Sequence, residues 1–147
     1  MKVKKCSLEL YNVFIYKGKE NSIIDMDELS RRGMELRKEG IYLTGPAIIH
    51  KSIREEISYE IWFPMNRMKN LENTADGYFC DRIVYTDCLF TRMIPENSSI
   101  ESASEEMENG LKQEGTDYRD IFYAIIPIPG GKVVDIYIPV QGDAKDE

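Results

Sequence analysis

The chain contains one segment written twice. Ser58-Tyr59-Glu60-Ile61-Trp62-Phe63-Pro64-Met65 lies over Val133-Val134-Asp135-Ile136-Tyr137-Ile138-Pro139-Val140. At the same spacing and without a gap, Leu36-Arg37-Lys38-Glu39-Gly40 lies over Leu111-Lys112-Gln113-Glu114-Gly115. A helix end and a later strand end therefore recur in register. Such a repeat constrains the fold more than any local motif, because a supersecondary unit that cannot bury its apolar face alone must pack against its copy.

The elements between these anchors follow from pattern. Leu8–Tyr16 is rich in β-branched and aromatic residues and ends at Lys17-Gly18-Lys19, so it reads as a strand. Asp25 or Asp27 caps a helix running to Glu39, with Met26, Leu29, Gly33 and Leu36 on its inward stripe and Gly40 as the left-handed stop. A glycine inside a helix costs about 1 kcal/mol relative to alanine, so Gly33 is expected where the helix closely approaches a strand. Ile41–Pro46 ends in a turn, Ala47–Lys51 and Ser58–Phe63 are strands, and Pro64 closes the second. Residues 67–80 are polar and aperiodic and read as a linker.

The second half repeats the order. A strand at Arg82–Arg92 precedes a turn and cap over Pro95–Ser99. Ile100, Ala103, Met107 and Leu111 line a helix face that Gly115 stops, and strands follow at Asp120–Ile126 and Val133–Ile138, joined by a turn over 127–131. Residues 142–147 are expected to fray. The expectation is one domain over 1–147, with modules at 5–66 and 81–141. The fold class read from this is α+β: a duplicated strand–helix–strand–strand module with pseudo-twofold symmetry, antiparallel sheets, helices outside and a central cleft.

Composition limits the partners. With 147 residues, 42% hydrophobic and 31% charged, the chain fits a globular domain that buries about two thirds of its unfolded surface. A net charge of −7 opposes a phosphate-binding surface, and the basic cluster Lys2, Lys4, Lys5 is short. No nucleic-acid partner is expected. With about seven residues before the first strand, no helix-turn-helix is expected ahead of it. No apolar run approaches the ~20 residues that span a bilayer, and the N-terminus lacks a signal-peptide core, so no membrane partner and a cytoplasmic location are expected. Cys6, Cys80 and Cys88 lack CxxC spacing and are expected to be reduced and partly buried.

Strand alternation sorts the candidate site. Tyr59, Ile61 and Phe63 share one face with an apolar character, as do Val134, Ile136 and Ile138, and these belong under the helices. Glu60, Trp62, Asp135 and Tyr137 fall on the opposite face, one carboxylate two residues before one large aromatic in each module. A carboxylate beside an indole or phenol attracts a cationic, aromatic or amphipathic molecule. The alternative at these positions is two outward, solvated acids on sheets with one wet face.

The order Leu43-Thr44-Gly45-Pro46-Ala47-Ile48-Ile49-His50, then Glu55-Glu56, then Tyr59–Met65, with the ending Asp135–Val140, resembles the gyrase-inhibitor-like (GyrI-like) effector-binding domain over roughly residues 5–141. The resemblance implies a central cleft whose buried acid, Glu60 or Asp135 here, recognises drug-like cations. It also covers stand-alone bacterial proteins of this length with no assigned function. Thr91-Arg92-Met93-Ile94-Pro95-Glu96 departs from that family, whose second half opens with a small-residue turn and a tyrosine.

Other chemistry is set beside this reading. His50, the single histidine, is expected to be structural, since triads and most zinc sites need a histidine with oriented partners. Cys80 and Cys88 lack a partnering histidine in sequence, and Gly130-Gly131 sits in a hairpin turn, not a phosphate loop. The run Glu101–Glu108 reads as a solvated helix face. The resemblance also implies a hydrolase in some members, with Glu60 or Asp135 as general base and Tyr123 or Tyr137 as donor. Tyr123 stands where the first module has Ile48. Binding is favoured over catalysis: a small organic molecule held by Glu60, Asp135, Trp62, Tyr137 and Tyr123, without cofactor or metal. A protein-interaction role, with a protein partner or a homodimer, is the second class.

Overall fold

The computed structural model describes residues 3–17, 31, 33–35, 37–38, 40–54, 56–66, 77–95, 99–140 and 144–146. Its named elements are β1 (Lys4–Lys17), β2 (Ala47–Ser52), β3 (Ser58–Pro64), β4 (Gly77–Met93), α1 (Ile100–Gln113), β5 (Asp120–Ile128), β6 (Gly131–Pro139) and β7 (Ala144–Asp146). Helical backbone also occurs at residues 31, 33–35 and 37–38.

All strand pairings are antiparallel. The order is β1-β3-β2-β5-β6-β4-β7, and β1 pairs again with β4. That last pairing closes six strands into a barrel, which corrects the α+β expectation. The two halves do not stack as separate sheets beneath an outer layer of helices with a cleft between them. They join edge to edge, β2 to β5 through Ile48↔Ala124 and His50↔Phe122, and β1 to β4 through a ladder from Lys4↔Phe90 to Tyr16↔Gly77. Closure satisfies the hydrogen-bonding edges that two separate sheets would leave open.

Two apolar clusters result. Inside the barrel lie Leu8, Val13, Ile15, Ile48, Trp62, Ile83, Tyr85, Cys88, Phe122 and Ala124. Outside, on the flank that α1 covers, Ile100, Ala103, Met107 and Leu111 pack with Ile61, Phe63, Tyr123, Val134, Ile136 and Ile138. The alternation read in the two closing strands is visible here, with Ile61 and Phe63 outward and Trp62 inward. In β1 the inward set is Leu8 and Leu10 before Asn12 but Val13 and Ile15 after it. Asn12 takes φ 52, a conformation asparagine tolerates, and this irregular residue is where the parity changes.

Local signals fix the helix ends. Ser99 caps α1 by accepting from the Ser102 N–H at 3.0 Å. Gly40 (φ 77) and Gly115 (φ 70) take the left-handed stop conformation. The expected close approach at Gly33 does not occur: a Cβ built there meets nothing within 4 Å among the described residues. Its companions Met26, Leu29 and Leu36 lie outside the described residues.

Close approach occurs instead at Gly77, four residues inside the stretch read as linker. A Cβ there would fall 2.7 Å from the Ile15 carbonyl oxygen and 2.8 Å from the Phe14 ring. β4 thus begins earlier and runs longer than its apolar pattern indicates, because β1 supplies a partner along nearly its whole length. At the other end of the chain, where fraying was expected, Ala144–Asp146 pairs with Ile83–Tyr85 of β4.

Candidate functional site

β2, β3 and β5 bring three ionisable side chains to one end of the barrel interior. His50 stands opposite Glu60 across the β2–β3 ladder and opposite Phe122 across the β2–β5 ladder. Asp120 opens β5, directly across from Ser52. The His50 Nδ1 lies 2.8 Å from Glu60 Oε1, and its Nε2 lies 2.7 Å from Asp120 Oδ1. The ring is stacked on Phe122 at 4.6 Å and 14°, with Trp62 edge-on at 5.0 Å. The histidine that sequence reading set aside as structural is therefore the centre of the cluster. Only the pairing of three strands reveals it, since Glu60 lies ten residues away across the β2–β3 ladder and Asp120 seventy residues away across the β2–β5 one.

Each carboxylate has further donors. The Trp62 indole N–H donates to Glu60 Oε1 at 3.1 Å, and the Tyr78 hydroxyl donates to Glu60 Oε2 at 3.3 Å. Arg54 Nη2 donates to Asp120 Oδ2 at 3.3 Å. Burial opposes ionisation of both acids, but the hydrogen bonds from His50, with Trp62 and Tyr78 on Glu60 and Arg54 on Asp120, outweigh it and hold both carboxyls below their usual range. Burial likewise opposes a charge on His50, and the bonds to Asp120 and Glu60 overcome it, so the imidazole pKa is raised. Geometry agrees. A neutral imidazole has one N–H, so two close carboxylates require the doubly protonated ring.

The cluster forms part of the wall of a cavity of about 280 Å³, together with Ile15, Ser52, Ser58, Trp62, Tyr78, Cys80 and Tyr85. Both halves of the chain contribute to it. Polar groups converge on an aromatic floor, and Tyr78, 40% exposed, stands at the rim. With both ring nitrogens of His50 engaged by carboxylates, neither has a lone pair to accept a proton or bind a metal. Among the described residues no group of three or more His, Cys, Asp or Glu side chains is arranged to hold a metal ion.

Of the residues singled out from sequence, Glu60 and Trp62 meet in this cavity. Asp135 is not among the residues lining it. It is buried and held in a two-pronged pair by Arg92, Nε to Oδ1 at 2.7 Å and Nη2 to Oδ2 at 2.8 Å. Glu60 shares a cross-strand row with His50, Phe122 and Tyr137, whereas Asp135 shares one with Ala124, Ile48 and Trp62. Tyr137 packs on Phe90 at 5.0 Å and lines a different opening of about 370 Å³, with Leu8, Tyr11, Pro46, Ile48 and Ala124. Burial and then the Asp135 charge push its phenol up to about 12. Tyr123 lies outside the barrel under α1, fully buried, its hydroxyl 2.9 Å from Ser104 Oγ. The repeat makes Glu60 and Asp135 equivalent in sequence, but the closed barrel gives them different surroundings.

No protein-family model matches the chain, and no curated protein matches it. Among solved structures, the chain resembles one in a cryo-EM structure of an EcmrR–DNA complex in EcmrR-RPo, with a TM-score of 0.60 and 14% identity. The likeness covers 94% of this chain and 57% of that one, so this chain spans little more than half its neighbour's length. At that identity the likeness concerns the fold. It does correct one expectation: the exclusion of nucleic acid stood on net charge and on the short stretch before the first strand, and a protein of this fold is seen in a DNA complex, so the exclusion is withdrawn. No helix among the described residues is long and apolar enough to cross a membrane.

Proposed function

We propose that the chain binds a small cationic molecule in the cavity beside Glu60, in the manner of a GyrI-like effector-binding domain acting without chemistry of its own. The observation that carries this reading is Glu60 itself. It is a half-buried carboxylate, kept ionised, set in a concave pocket against Trp62 with Tyr78 at the rim. A unit positive charge at ~4 Å from an isolated carboxylate gains about 4 kcal/mol at an effective dielectric near 20. Here the His50 imidazolium on Oε1 offsets part of that gain, so a cation is best placed on the Oε2 side. A neighbouring aromatic face adds roughly 0.5–2 kcal/mol. The cavity lies at the small end of ligand sites, which suits a compact cation. A cytoplasmic setting belongs to the same reading.

A second reading has one observation in its favour. The Tyr78 hydroxyl on Glu60 Oε2 is a carboxylate–phenol pair of the kind a small-molecule hydrolase would use. It ranks lower because a carboxylate with a depressed pKa, already accepting from His50 and Trp62, is a good counter-ion and a weak base.

A thermal-shift comparison tests the binding reading, with benzylammonium and phenyltrimethylammonium as compact probes on the wild type and on Glu60→Gln. A probe at about 100 times its Kd should stabilise the wild type by about 2.7 kcal/mol, and the gain should vanish in the variant. Equal stabilisation of both proteins, or of neither, would sink it.

A further inference from the structure

The first strands of the two halves bring two thiols face to face. In the β1–β4 ladder Cys6 is the direct cross-strand partner of Cys88. Directly opposed residues of an antiparallel pair have Cα atoms about 4.5–5.5 Å apart. That spacing lies inside the roughly 4.4–6.8 Å window that a disulfide spans. Opposed residues also project to the same face, and here both side chains belong to the barrel interior, Cys88 in the core and Cys6 packed against it. The pair closes a register irregularity: between Cys6 and Leu8, β1 advances two residues while β4 retreats three, from Cys88 to Tyr85. Such a bulge gives the backbone local latitude next to the pair.

We infer that Cys6 and Cys88 are an oxidation site, forming an intramolecular disulfide across the β1–β4 seam when the chain meets a small-molecule disulfide. The two positions divide the chemistry. Cys6 is partly exposed and receives the reagent, while Cys88 is buried and can react only with its neighbour. The Cys6 thiolate attacks one sulfur of the reagent, giving a mixed disulfide and releasing one thiolate. The Cys88 thiolate then attacks the Cys6 sulfur and releases the second. Two protein thiols lose two electrons and two protons, and the reagent is reduced to two thiols. Burial, then the charge of Asp135, raises the Cys6 thiol, while burial and then Cys6 push Cys88 up to about 12. The resting pair is therefore protonated, and exchange accelerates with rising pH. The site also touches the cavity wall, since the Cys88 thiol donates to the carbonyl of Tyr85, a cavity-lining residue.

The test uses the full chain, incubated with cystamine at pH 8 and 9 and quenched with iodoacetamide. Digestion without reduction, followed by mass spectrometry, should recover a Cys6–Cys88 linked peptide, with Cys80 outside the link. The linked form should appear faster at the higher pH and carry a higher urea midpoint than the reduced protein. Cys88→Ser should stop at the cystamine adduct on Cys6, and Cys80→Ser should link as the wild type does. A lasting adduct on Cys6 in the wild type would overturn the inference, as would a link to Cys80 or thiols that all remain alkylatable.

Discussion

His50 of β2 and Asp120 of β5 share a contact of 2.7 Å across the junction where the two halves of the chain meet. Asp120 is buried, and its remaining partner, Arg54, is largely exposed. Removing one member of a buried, hydrogen-bonded charge pair leaves the other uncompensated. Asp120→Asn should therefore lower unfolding stability by about 3–5 kcal/mol. Urea denaturation checks this, and a loss under about 1 kcal/mol, the range of exposed pairs, would show the contact to be solvent-like.

The cluster also sets a pH window. His50 has its pKa raised above the ordinary 6.5, so its contribution is complete below about pH 6.5 and is lost as pH climbs through the raised value. Glu60 and Asp120 are held below their ordinary 4.5 and 3.8, so theirs is complete above those values and is lost as pH falls through the lowered ones. The three together stabilise most between about pH 4.5 and 6.5. Because His50 is the single histidine, its ring-proton NMR signal should titrate alone, with a midpoint above 6.5. A midpoint below 6.5 would contradict the two-carboxylate clamp.

Tyr123 offers a control for the cavity. Its hydroxyl bonds Ser104 of α1 under the outer cluster, away from Glu60. Tyr123→Phe removes one buried hydrogen bond and leaves Ser104 a second contact, to Glu108 at 3.3 Å. Stability should fall by about 0.5–1.5 kcal/mol, with cation binding unchanged. A lost thermal shift in this variant would return Tyr123 to the site.

Gly77 has no space for a side chain, because the Ile15 carbonyl is backbone and cannot swing aside. Gly77→Ala should cost about 1–3 kcal/mol, as overpacked core positions do. Gly33→Ala, where the described surroundings are open, should cost nothing measurable or stabilise slightly. Equal costs at the two glycines would refute the assignment.

What could be read from the chain was what has a short period. The inward position of Trp62 and the outward ones of Ile61 and Phe63 follow from alternation along one strand, and Gly40, Gly115 and Ser99 follow from local capping chemistry. What escaped was set by pairing between distant strands. Nothing near Glu60 announces that Asp120 will share a histidine with it, and nothing near Gly77 announces the carbonyl of Ile15. The barrel was missed for the same reason. Strands that are amphipathic on both halves suit two packed sheets or one closed ring equally, and the choice lies in whether β1 finds β4. The equivalence of Glu60 and Asp135 was real as sequence but misleading as geometry, since their cross-strand neighbours differ.

The ring of pairings has a consequence for how such a chain could arise or be divided. Each half orders its strands with the closing strand in the middle, β3 between β1 and β2, and β6 between β5 and β4. The outer strands of one half are the ones that bond the outer strands of the other. A half-length ancestor would have carried two sticky margins and reached a sealed form only by meeting a twin. Joined in one chain, the two copies need not stay alike, and they do not: Glu60 meets His50, which also holds Asp120, while the equivalent Asp135 is locked to Arg92.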